Sequence, residues 1–140
     1  MTENFNIISN FVKDMSSETP DVATYLSVRD NISNYKLLID INSKAIKDGI
    51  IEVNTTLKFV DKPEIVKKSH FEIIYTSIVK IDKKVSNKEE MEKIILCDVP
   101  NKIYPGLEKI FLNLLNDSGY PGIKFEKKID FVELYKQKSN

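Results

Sequence analysis

Side chains suited to chemistry are few in this sequence. His70 is the single histidine and Cys97 the single cysteine of 140 residues. A histidine pair for a metal and an internal disulfide are therefore both excluded. The two could make a thiolate–imidazole dyad only if the fold joined them, and no third residue to orient the ring stands out. His70 lies in an alternating segment and reads as a surface or structural residue. Cys97 follows the apolar run Ile94-Ile95-Leu96, where a small buried thiol is expected. Four glycines form no phosphate-cradling loop, and no serine sits in a nucleophile elbow. Glu89 and Glu90 stand beside Lys88 and Lys93, the pattern of a solvated helix face. Neither catalysis nor a bound metal or cofactor is expected.

Charge narrows the partners. Lys plus Arg and Asp plus Glu both number 21, so the formal net charge is zero. A nucleic-acid binder needs a positive surplus, and arginine to grip phosphates and guanine edges. Arg29 is the lone arginine. With 41% hydrophobic and 30% charged residues the chain has a globular balance, sized for a single domain over residues 1–140. The start, MTENFNIISN, lacks the apolar stretch of a secretory signal, and no run approaches the roughly 18 apolar residues of a membrane span. A cytoplasmic protein is expected.

The elements follow from periodicity. Phe5–Met15, Tyr35–Ile46 and Ile51–Val60 alternate apolar and polar residues, as strands with one wet face do. Asp48-Gly49 suits a hairpin turn, and Asp61-Lys62-Pro63 opens a longer one. Phe71–Ile81 is apolar on both faces, so a cover over its outer side is expected. Ser86 and Glu89 have capping-box spacing at a helix start. Pro105 fits a first helical turn. Leu107, Ile110, Phe111, Leu114 and Leu115 make one apolar stripe, which Gly119 and Pro121 should terminate. Asp130 could cap a last short helix carrying Phe131, Leu134 and Tyr135. The stretch from Ser16 to Asn34 reads as a long irregular connection, a kind of loop often tied to function. The fold class is α+β: a four-stranded antiparallel sheet, then a long helix and a short C-terminal helix.

Four segments, in order, resemble a known family. Phe11-Val12-Lys13-Asp14-Met15-Ser16-Ser17-Glu18-Thr19-Pro20 is similar to the first strand of SecB, the bacterial export chaperone, with Ser17 where that family has phenylalanine. Pro100-Asn101-Lys102-Ile103-Tyr104-Pro105 resembles the family's entry to its long helix. Gly119-Tyr120-Pro121 resembles the helix's close, and Asp130-Phe131-Val132-Glu133-Leu134-Tyr135 the chain's ending. Three departures are visible. Cys97 stands three positions before Pro100, as though Asp98 and Val99 were inserted, Glu108-Lys109 replaces an Arg-Glu pair, and the family's acidic tail is lacking.

The resemblance implies an ATP-independent holder of unfolded preproteins that delivers them to the SecA translocation ATPase. It also implies a homotetramer, a dimer of dimers in which edge strands pair between subunits. The stripe Leu107, Ile110, Phe111, Leu114 and Leu115 is expected at the oligomer interface. Val22, Tyr25 and Leu26, supported by Leu38 and Ile74, are expected to line a client groove. Asp14, Glu18 and Glu72 match acidic positions with which the family contacts SecA. Two alternatives stand beside this reading: a SecB-like chaperone dedicated to one client such as an antitoxin, and a small-ligand-binding α+β domain.

Overall fold

A computed structural model describes residues 4–125 and 129–139; Met1, Thr2 and Glu3 of the N-terminal segment read above lie outside the described residues. Four strands, β1 (Phe5–Glu18), β2 (Lys36–Lys47), β3 (Ile50–Val60) and β4 (His70–Ile81), form one antiparallel sheet in the order β1-β4-β3-β2. The edges are β1 and β2. Helices α2 (Lys88–Lys93) and α3 (Val99–Asp117) follow, joined by a π-helical segment, Ile94–Asp98, and α4 (Phe131–Ser139) comes last. The α+β reading from the sequence is met.

One sheet face carries the core. Leu57, Phe59, Phe71 and Ile73 meet Leu107, Phe111 and Leu115 of α3, and a second cluster joins Val53, Val79 and Ile81 to Ile94 and Val99. Burying such a side chain stabilises by roughly 1.5–3 kcal/mol. Leu107, Phe111 and Leu115 are 0% exposed within the single chain. They cannot also meet a partner, so the expected interface stripe is corrected: its centre is the protomer's own core. Ile110 and Leu114 remain half-buried on its flank.

Three local readings change. Residues expected as an irregular loop form helix α1 (Val22–Asn31), with a 3-10 turn at Ile32–Asn34. Its N-cap is Asp21, whose carboxylate accepts from the Thr24 amide at 2.7 Å. The cap of α2 is Asn87, accepting from the Glu90 amide at 2.7 Å, one residue past the expected Ser86. Pro105 lies inside α3, not in its first turn, because the π segment carries the helix on from α2, with the Val99 amide bonded to the Ile94 carbonyl. A π turn absorbs an extra residue in a helix, and Asp98 of the departure noted above falls within it. The hairpin at Asp48-Gly49 forms, with positive φ at Gly49 alone.

Strand β1 alternates less simply than its sequence. Bulges fall between Ile7 and Ser9 and between Val12 and Asp14. Each extra residue reverses which face the side chains take. Phe5, Ile7 and Met15 therefore share the helix-side face with Val79 and Ile73, whereas Phe11 pairs with Thr76 on the outer face.

Candidate functional site

At the β2 edge, the helix-side face opens into a groove of about 890 Å³. Its floor is aromatic. Tyr35 and Phe59, 6% and 5% exposed, lie 5.3 Å apart between ring centroids, and Phe125 meets Phe59 edge-on at 5.7 Å. Leu37 and Ile39 of β2 form one wall. Ile32 and Ser33 close one end, and Pro121, Gly122, Ile123, Lys124, Phe125 and Ile129 form the opposite wall, with Lys36 at the rim. Leu37, Ile39, Ile123, Phe125 and Ile129 are half-buried, so apolar surface stays accessible within the groove. Beside them β2 presents a free strand edge, able to hydrogen-bond an extended chain.

Local chemistry holds the second wall in place. Helix α3 ends in a Schellman motif: the Tyr120 amide bonds the Leu115 carbonyl at 3.1 Å and the Gly119 amide that of Asn116 at 3.2 Å. Gly119 takes φ +102°. The Tyr120 hydroxyl then joins Ser69 Oγ at 3.2 Å, which in turn meets Thr19 Oγ1 at 2.6 Å. Those bonds anchor the residue just before the wall to the residues that follow β1 and precede β4. The Tyr35 hydroxyl accepts from the Ser69 amide at 3.1 Å, and burial raises its pKa above the ordinary phenol value, so the floor stays uncharged.

None of the five residues expected to bind a client lines this groove. Tyr25 is an anchor: its hydroxyl donates to the Gly119 carbonyl at 2.9 Å, and its ring lies 5.3 Å from that of Tyr120. Val22 and Leu26, 74% and 43% exposed, share one face of α1, which runs on to Ile32 at the groove's end. Leu38 and Ile74 point to the outer face of the sheet, away from α1, and the register sets Leu38 opposite Lys58 and Ile74 opposite Thr56. The structure does not bring these five together. The residues missed carried a signal, namely the alternation Tyr35, Leu37, Ile39 on a strand left unpaired on one side.

The acidic residues do come together. Ser16 pairs with Glu72, so Glu72 sits between Asp14 and Glu18 on the outer face. Lys58 Nζ lies 3.3 Å from Glu72, which tempers the negative charge there. The centre of this face is polar and internally satisfied. Asn54 donates to Asn42 Oδ1 at 3.0 Å and to Glu52 Oε2 at 2.8 Å, and accepts from Thr76 Oγ1 at 2.6 Å. Hydrogen bonds from Asn54 and Lys13 hold the Glu52 carboxyl below its usual range. His70 lies on this outer face opposite Glu18, while Cys97 is buried in the core on the other side. The sheet separates them, so they form no dyad. Burial first, and then Asp98, push the Cys97 thiol pKa upward, the opposite of activation.

The comparisons with known proteins agree in direction. Residues 1–140 match the family described as "Preprotein translocase subunit SecB". A protein of Pelagibacter ubique (strain HTCC1062), named as a candidate protein-export protein SecB, is 79% identical over the whole of both chains. A protein-export protein SecB of Mesorhizobium japonicum is 24% identical, covering 95% of this chain and 78% of its own. Among solved structures, a Mycobacterium tuberculosis SecB-like chaperone in complex with a peptide from an antitoxin superposes with a TM-score of 0.65 at 10% identity, covering 90% of this chain and 88% of its own.

Proposed function

The chain belongs to the SecB family of protein-export chaperones, and we propose that it holds unfolded preproteins along the β2 groove and passes them to SecA. The observation that carries this reading is the groove itself: an aromatic floor, half-buried aliphatic walls and a free strand edge. Apolar burial is non-directional and backbone hydrogen bonds are indifferent to sequence, so together they accept many extended chains. Val22 and Leu26 extend the apolar track along α1. No step of such binding consumes a nucleotide, and the work is done from the cytoplasm.

Assembly belongs to the same reading. Edge strand β1 exposes Ile8, Phe11, Val12 and Met15, between 39% and 52%. A second β1 laid against it would satisfy the free backbone groups and remove that apolar surface from water. Two such pairs make a homotetramer. SecA then docks on the outer face through Asp14, Glu18 and Glu72, opposite the groove.

A holdase assay with an unfolded preprotein, run beside SecA binding, tests the pair of roles. Asp14→Asn, Glu18→Gln and Glu72→Gln together should abolish SecA binding and leave client protection intact. A triple variant that binds SecA like wild type would contradict the docking surface. A wild-type protein that protects no preprotein would contradict the chaperone role. The SecB-like chaperone seen with an antitoxin peptide motivates one second reading, a dedicated client; protection of a single polypeptide from a panel would favour it.

A further inference from the structure

The floor and the far wall of the groove are tied together by one buried serine that lines neither. Ser69 is 4% exposed and directly precedes β4. Its amide donates to the Tyr35 hydroxyl of the floor at 3.1 Å. Its own hydroxyl lies 3.2 Å from that of Tyr120, the residue before the wall. Thr19 Oγ1 stands 2.6 Å from Ser69 Oγ and 3.4 Å from the Tyr120 hydroxyl, so three hydroxyls close a triangle in which each can donate one proton and accept another. Phe71 backs the same tie, packing against Tyr35 at 6.1 Å and against Tyr120 at 5.4 Å between ring centroids. Ser17 gives the root of the wall a further hold, its Oγ 2.7 Å from Ser118 Oγ at the end of α3.

We propose that Ser69 is a positioning residue that fixes the width of the groove, and so decides which client side chains fit over Tyr35 and Phe59. The inference rests on the reading of the groove as the client site. Ser69 lies outside the lining and acts through Tyr35 on one side and Tyr120 on the other. Its amide and hydroxyl hold one distance between them, because a buried polar group left unpaired costs more than its bond contributes. A groove of fixed width loses less binding free energy to ordering its walls, and it ranks side chains by how well they fill it. With the bond removed the wall can shift, so good fits weaken and the ranking flattens.

The test uses the full-length protein and three labelled peptides identical but for a central Ala, Leu or Trp. Binding is read by fluorescence anisotropy well below the melting temperature. Wild type should separate the best peptide from the poorest by about ten-fold or more. Tyr120→Phe removes one hydroxyl and keeps the ring; it should narrow that spread to about three-fold and weaken the best peptide by about three- to ten-fold. Ser69→Ala should act the same way. Together the two changes should weaken binding by less than the product of their separate factors, because they share the Ser69–Tyr120 bond. Wild-type affinities and spread in both folded variants, even with lowered melting temperatures, would show that the bonds only stabilise the fold; that overturns the proposal and leaves the groove as client site standing. Equal binding of the three peptides by wild type would overturn it too. If Ser69→Ala does not fold, Tyr120→Phe decides alone. A Leu37→Ser, Ile123→Ser variant that binds all three peptides like wild type would overturn the groove reading, and this proposal with it.

Discussion

Gly119 and Tyr25 show how single residues shape the site from outside it. An alanine at 119 would hold a left-handed backbone, and its Cβ would fall 2.7 Å from Tyr25 Cε1. The backbone strain and the clash act together, so Gly119→Ala should destabilise the fold by about 1–3 kcal/mol, measured by thermal melting. In a Tyr25→Ala background the same change should cost less, because the steric part is gone. Equal costs in both backgrounds would show that the contact does not constrain Gly119. The glycine stop before Pro121 was legible in the sequence, since a helix stripe ends there. Tyr25 was not, because its partner lies 94 residues along the chain. An exposed-looking aromatic in a supposed loop reads as a binding residue until that partner is known.

At the scale of elements, the two edge strands and α3 divide the work. Alternation identified three strands, and the fourth read as a strand apolar on both faces. The bulges of β1 fall at Ile8 and Lys13, the residues that break the alternation, and only the pairing shows that the faces reverse there. The stripe on α3 was equally plain, yet periodicity says that a face is buried and not by what. The sheet of the same chain covers it. Phe111→Ala should therefore cost about 3–5 kcal/mol of protomer stability, whereas Phe11→Glu with Met15→Glu should leave secondary structure intact and give smaller species by light scattering. Dissociation by the Phe111 variant with an unchanged melting temperature would return the stripe to the interface. An unchanged mass for the Phe11, Met15 variant would remove β1 from it. Helix α1 escaped the sequence reading because Ser27, Arg29 and Asp30 interrupt any apolar period, so that only Thr24 and Val28 are buried.

The whole molecule has two distinct faces with the sheet between them. The helix side holds the core and the groove, and the outer side holds a polar network and the acidic residues of β1 and β4. Such a division would let a client stay bound while a second protein docks behind it. Family membership was legible because four short motifs kept their order across the chain. The groove was not, since its walls are β2 and residues 121–125 with Ile129, more than 80 positions apart, and the anchoring of Tyr120 together with the Phe59–Phe125 ring contact brings them face to face. Client binding in that groove is the central claim. The direct measurement is the affinity of wild type and of the Leu37→Ser, Ile123→Ser variant for one unfolded preprotein, with mass and melting temperature recorded for both. Two lost apolar contacts of about 1–2 kcal/mol each should weaken binding at least ~10-fold, with the assembly unchanged. Undiminished affinity in a folded, fully assembled variant would place the client elsewhere and contradict the account.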